Sequence, residues 1–191
     1  MKSRILYRDE FIRLNEKEQS KYNLAQSELT YGHSGKEFLL QDKKVAERLQ
    51  EMSSGIYRDA MGNARCFHKK KIVRLYKVAN CLKGNVLILY SCMNEVKLIR
   101  AYFPEAKILS TLSDYKLWNS GSIEIGLLRP GPGSMCRLYP GGNQLICFSI
   151  PGDISLYLKV LTHMSAPNGV LFVRRLIVQD TWEEVLYQRV K

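Results

Sequence analysis

From His68 onward the chain alternates between short apolar runs and amphipathic segments of helical period, and no other feature restricts the possible folds as strongly. A helix through "KKIVRLYKVANCL" stops at Gly84 and the strand "NVLILYS" follows. Next come the helix "NEVKLIRAYF", the strand "AKIL", a short helix "SDYKLW" and the strand "SIEIGLL". Beyond the segment "RPGPGSMCRLYPGG" the pattern resumes with the strand "QLICFS", the helix "DISLYLKVLTHM", the turn "PNG", the strand "VLFVRRLIV" and a last helix "TWEEVLYQRV". Strands joined through helices need right-handed crossovers, so residues 68–191 are expected to form an α/β fold: a mainly parallel, five-stranded sheet with helices on both faces. Such sheets bind ligands beyond the carboxyl ends of their strands, and "RPGPGSMCRLYPGG" begins at one of those ends.

Residues 1–67 lack this regularity and are expected to form a helical and hairpin appendage. Residues 5–14 read as a short strand or extended entry. Asn15 and Glu18 make a capping box for a polar helix reaching about Leu29. Val45, Leu49 and Met52 mark one face of a second helix, which "SSG" ends. "IYRDAMGNARCF" reads as a hairpin turning near Gly62 and Asn63. At 191 residues the chain has room for one domain with a real core and not for two full α/β domains.

An apolar share of 46% with 10% aromatics argues against disorder, and no apolar run is long enough to cross a membrane. Charges interrupt "MKSRILYRDEF" too early for a signal peptide. The 5 cysteines are odd in number, show no CxxC spacing and mostly lie in apolar runs, which predicts reduced thiols in a cytoplasmic protein. The net charge of +11 is uneven: residues 1–54 contribute +1, residues 55–120 contribute +8 and residues 121–191 contribute +2. A local basic surplus is what a polyanion-binding face requires, although a basic solvated surface gives the same count.

Residues for chemistry are scarce. A P-loop needs GxxxxGK followed by Ser or Thr, because amides wrap the phosphates, the lysine reaches the outer ones and the hydroxyl holds magnesium. "TYGHSGKE" has Thr30 in place of the first glycine and Glu37 in place of the hydroxyl. "GPGSMC" around Ser134 lacks the second glycine of a nucleophile elbow. His33, His68 and His163 have no zinc-binding spacing. No catalytic residue, metal site or cofactor is expected.

The order of segments carries a resemblance. "LQEMSSGIYRD", "FHKKKIVRLYKV", "NVLILYSCMNEVKLIRAYFPEAKIL", "DYKLWNSG" and "LIVQDTWEEVLYQRV" resemble the C-terminal RecA-like lobe of superfamily 2 helicases of the Swi/Snf-like type, especially short phage-encoded ones. "VLILYSCMNEVKLI" is similar to helicase motif IV, "DYKLWNSG" to the family's Trp-Asn-x-Gly segment and "QDTWEEVLYQRV" to its closing helix. The resemblance implies a RecA-like sheet and a degenerate lobe. "RPGPGSMCRLYPGG" stands where the family's motif V couples nucleic acid to ATP, and its prolines lack the amide donors such a loop offers. The motif VI arginines, which stabilise a transferring phosphate, correspond to Lys159, His163 and Ala166. The lobe that carries the P-loop has no counterpart in this sequence.

The expected function is therefore non-enzymatic: a viral accessory protein that binds nucleic acid, without strong sequence preference, or a nucleic-acid-processing protein, as an inhibitor or decoy. The alternative is a subunit that completes an ATPase with a separately encoded first lobe. Lys69, Lys70, Lys71 and Arg74, at and near a helix start, are the candidate phosphate contacts, with Arg129 and Arg137 flanking the Pro/Gly loop. Lys70 and Arg74 are spaced to share a helix face. Trp118 and Trp182 are expected in the core.

Overall fold

The computed structural model describes residues 4–31, 42–131, 141–165 and 169–191. The chain opens with β1 (Arg4–Ile12), and Asn15 then starts α1 (Glu16–Leu29) through the expected capping box. The Asn15 side chain accepts from the Glu18 amide at 2.9 Å, and Glu18 accepts from the Asn15 amide at 2.8 Å. Asp42 caps α2 (Lys43–Ser53), which ends at Gly55. Gly55 has φ +96°, and a Cβ there would stand 2.2 Å from the carbonyl oxygen of His68, so only glycine lets the two backbones approach. The hairpin follows as β2 (Ile56–Arg58) and β3 (Ala64–Cys66), antiparallel, with the Asp59 carboxylate accepting from the amides of Met61 and Asn63 across the turn.

The regular part runs through α3 (Lys70–Ala79), β4 (Val86–Leu89), α4 (Met93–Arg100), β5 (Lys107–Ile108), α5 (Leu112–Asn119), β6 (Ile125–Leu128), β7 (Gln144–Cys147), α6 (Ile154–Met164), β8 (Val170–Val178) and α7 (Trp182–Val190). All main-sheet strands pair in parallel, in the order β1-β8-β7-β4-β6-β5. The α/β class and the helices on both faces are as the alternation requires. The strand number is corrected from five to 6, because β1, expected within an appendage, pairs along its whole length with β8. A bidentate ion pair locks it there: Arg175 on β8 donates to the Asp9 carboxylate at 2.6 and 2.9 Å, and the Tyr187 hydroxyl of α7 donates to the same group at 2.8 Å.

Two cores sandwich the sheet, and strand alternation assigns each side chain to one of them. Leu87, Leu89, Leu145, Cys147 and Val173 face α1, α2, α5, α6 and α7, with Trp118 and Trp182 buried among them. Ile88, Ile146, Phe148, Leu176 and Val178 face α3 and α4. Burying both sheet faces in this way is the main source of stability in such a fold.

Candidate functional site

The carboxyl ends of the strands make a rim, and a buried polar network underlies it. Lys71, Leu75 and Val78 share the apolar stripe of α3, so its helix period turns Lys71 inward. Its ammonium lies 2.5 Å from Glu183 of α7, 3.4 Å from the Ser54 hydroxyl and 4.8 Å from the Phe148 ring centroid. Glu183 also accepts from Gln50 of α2 at 3.0 Å and from the Val178 amide at 3.2 Å. Ser54 passes the network on, donating to Glu95 of α4 at 2.5 Å. Ser149 and the Ser91 amide donate to the same carboxylate at 2.6 and 2.7 Å. Burial pushes the Glu183 carboxyl above the usual range, and the Lys71 charge pulls it back. Lys71, Ser54, Glu95, Ser149 and Glu183 are all 0% exposed.

Lys71 is therefore removed from the candidate interface. A fully buried ammonium paired with a buried carboxylate meets no phosphate, and it serves to join α3 to α7. Lys69 is exposed at the N-cap of α3 and makes no capping bond. Lys70 bonds the Arg13 carbonyl at 3.0 Å and Glu18 at 2.7 Å. Burial raises the Glu18 carboxyl, but its bonds from Lys70 and the Asn15 amide outweigh this and hold it below the usual range. Arg74 lies 3.6 Å from Glu10 and is exposed. Lys70 and Arg74 thus share a face, turned toward β1. Arg129 extends from the end of β6 to within 3.8 Å of Glu47 on α2. Four strand positions separate β1 from β6, about 19 Å at the usual spacing, so one rim carries both groups without joining them. Arg137 lies outside the described residues.

Beside Arg129 the rim opens into a cavity of about 370 Å³, lined among the described residues by Gln50, Tyr90, Cys92, Arg129, Pro130 and Trp182, with others. Cys92 is the one thiol there, and burial pushes it up to about 12, so it stays protonated at neutral pH. Among the described residues no three His, Cys, Asp or Glu side chains are grouped to hold a metal. On α6, Lys159 is exposed and His163 half-buried one turn on, while Ala166 lies outside the described residues.

The Pro/Gly segment has a structural task at its far end. Because β6 and β7 are parallel, the chain must return from the carboxyl rim to the opposite edge of the sheet between them. There a Cβ on Gly141 would stand 1.9 Å from the Trp118 carbonyl oxygen, and one on Gly142 would stand 2.5 Å from that of Asn85. Those two glycines are fixed by close packing and belong to no phosphate cradle at the rim. Its middle, with Ser134 and Tyr139, lies outside the described residues.

No protein-family profile and no curated protein matches the chain. Solved structures do match. All of the chain superposes on 90% of the C-terminal part of the Fun30 ATPase domain, with a TM-score of 0.72 at 14% identity. The chain also covers, over 97% of its length, 43% of the Sulfolobus solfataricus SWI2/SNF2 ATPase core in complex with dsDNA, with a TM-score of 0.66 at 15% identity. For the C-terminal domain of the DEAD-box protein Dbp5 the TM-score is 0.52 at 10% identity, over 63% of this chain and 76% of that one. At such identities the likeness is one of fold, and the fold is that of the C-terminal RecA-like lobe of Swi2/Snf2 and DEAD-box ATPases.

Proposed function

We propose that the chain is a non-enzymatic accessory protein, of viral origin, whose helicase-shaped lobe binds the nucleic-acid backbone at this rim. The observation that carries the reading is the set of exposed cations Lys69, Arg74 and Arg129 along the carboxyl ends of a parallel sheet. Two features support it: the dsDNA complex of the Sulfolobus core with this fold, and Lys159 and His163 at the positions that resemble the motif VI arginines. A phosphoryl-transfer step without those arginines forgoes about three to five powers of ten in rate. Backbone contacts carry little sequence information, so binding should be weakly sequence-dependent and strongly salt-dependent.

Fluorescence anisotropy with single-stranded and duplex oligonucleotides across a salt series tests the proposal. A Lys69→Ala/Arg74→Ala double variant should lower the salt slope on duplex by about 1.8, at roughly 0.9 per lost phosphate contact, and Arg129→Ala by about 0.9. Purified protein should hydrolyse no ATP, with or without DNA. DNA-stimulated hydrolysis lost in a Lys159→Ala variant would overturn the non-enzymatic reading and favour a subunit of a split ATPase. No oligonucleotide binding even at low salt would overturn the nucleic-acid reading and leave an acidic nucleic-acid-processing protein as the partner.

A further inference from the structure

α3 is too short for the strands it covers. Its 10 residues span about 15 Å, whereas the 9 residues of β8 and the matching 9 of β1 span about 30 Å. The strand register shows what is left open on that face. Ile12 with Val178 and Glu10 with Leu176 lie in rows beneath the helix, and all four are buried. The Arg8 and Arg174 row lies at the helix end, and two rows lie beyond it: Leu6 with Phe172, and Arg4 with Val170. Leu6, Phe172 and Val170 are 36%, 37% and 37% exposed. In the central strands β4 and β7 the apolar side chains Val86, Leu87, Ile88, Leu89, Leu145 and Ile146 are all buried.

The charge around this strip is mostly basic. Arg8, Arg74 and Arg174 converge on a single carboxylate, Glu10, at 2.9, 3.6 and 3.9 Å. Among the described residues no other acid pairs with these three, and the buried Nε of Arg174 has no partner. Lys77 extends the basic border down the side of α3 that Lys70 and Arg74 share, and Arg4 closes the far end. The strip thus has Leu6, Phe172 and Val170 as its apolar part, with Arg8 and Arg174 at one end and Arg4 at the other, and runs about 13 Å along the strands, roughly two turns of helix.

We infer that the open β1–β8 face docks an acidic amphipathic helix of a partner protein. Apolar residues of that helix at i, i+3 and i+4 would cover Leu6, Phe172 and Val170 and complete the half-covered layer, while flanking carboxylates would meet Arg4, Arg8 and Arg174. Phe172 is the one aromatic of the three, and its neighbours Leu6 and Val170 are aliphatic, so the strip offers no second ring for successive bases to stack on, which favours a peptide over a single-stranded nucleic acid at this face.

The probe is a fluorescein-labelled helical 12-mer with leucine at helical spacing and glutamate elsewhere, set against a peptide of the same composition in scrambled order. Wild type should bind the ordered peptide. Phe172→Ser and Arg8→Glu, both at exposed positions, should weaken it about tenfold or more. Phe172→Ser should leave oligonucleotide binding unchanged, which separates this face from the rim. Equal binding of the scrambled peptide, no binding of the ordered one, or binding insensitive to both substitutions overturns the proposal. So does a loss of duplex affinity in Phe172→Ser, which would assign the face to nucleic acid, or a homodimer that this variant dissociates. If Phe172→Ser fails to fold, the Arg8→Glu result decides alone.

Discussion

Replacing Lys71 by methionine keeps the length and apolar stem of the side chain and deletes only its charge. In the native protein that charge faces Glu183 at 2.5 Å, with Glu95 one hydroxyl further on, and none of the three is exposed. The variant would leave Glu183 in a closed interior with only Gln50 and the Val178 amide as donors. Breaking a buried pair by removing one partner costs about 3–5 kcal/mol, a large part of the roughly 5–15 kcal/mol that holds a domain together. For a chain of this size that lowers Tm by about 10 °C. Urea and thermal unfolding followed by circular dichroism measure it, with Lys69→Met, at the exposed N-cap two residues before Lys71, as the control expected to change stability by less than about 0.5 kcal/mol. Glu183→Leu made in the Lys71→Met background should recover much of the loss, because replacing both members by apolar groups is close to neutral. A single Lys71→Met variant as stable as Lys69→Met would refute the network and return Lys71 to the surface.

The other expectations concern single positions. Burial lowers the His68 imidazole to about 4 from 6.5, so between those values the unfolded chain alone binds the proton; stability should fall by about 3 kcal/mol at most as pH drops through this window, and His68→Leu should flatten the curve. Gly55→Ala should cost about 3 kcal/mol, from an unfavourable φ of +96° and a Cβ 2.2 Å from the His68 carbonyl; a loss below about 1 kcal/mol, read from urea midpoints, would contradict the close approach. Iodoacetamide at pH 8 should alkylate the exposed Cys66 and Cys81 and spare Cys92 and Cys147, whose thiols burial pushes up to about 12, as peptide mapping by mass spectrometry would show.

How much of this was legible in the sequence depended on the range of the interaction. The strands and helices after His68, the Asn15 capping box, the hairpin at Gly62 and the stop at Gly55 all follow from local periodicity and turn chemistry, and the structure has each of them. The pairing of β1 was not legible, because its partner β8 begins more than 150 residues later and "RILYRDEFI" is half-exposed, with charges on both faces. An edge strand of that kind differs little from an extended linker until its partner is known. Arg129 shows the same limit: strand order, which sequence periodicity does not specify, places it four strands from β1.

Lys71 is the opposite case, in which the signal was present and composition obscured it. In "HKKK" three adjacent lysines suggest a phosphate patch, yet the spacing of Lys71 with Leu75 and Val78 places it on the buried stripe of an amphipathic helix. Glu95 with Ile99 and Glu183 with Leu186 repeat that placement on α4 and α7. One cation and two carboxylates at apolar-stripe positions on three helices have a common physical consequence: none can be buried alone, so each requires the others nearby. That requirement fixes how three helices meet beneath the carboxyl rim, and it holds whatever the rim binds. The charges turned toward solvent are Lys69 and Arg74 on α3, together with Arg129, which lines the cavity. The +8 surplus of the middle segment therefore divides between buried charges with a structural role and exposed ones, to which the proposed binding is assigned.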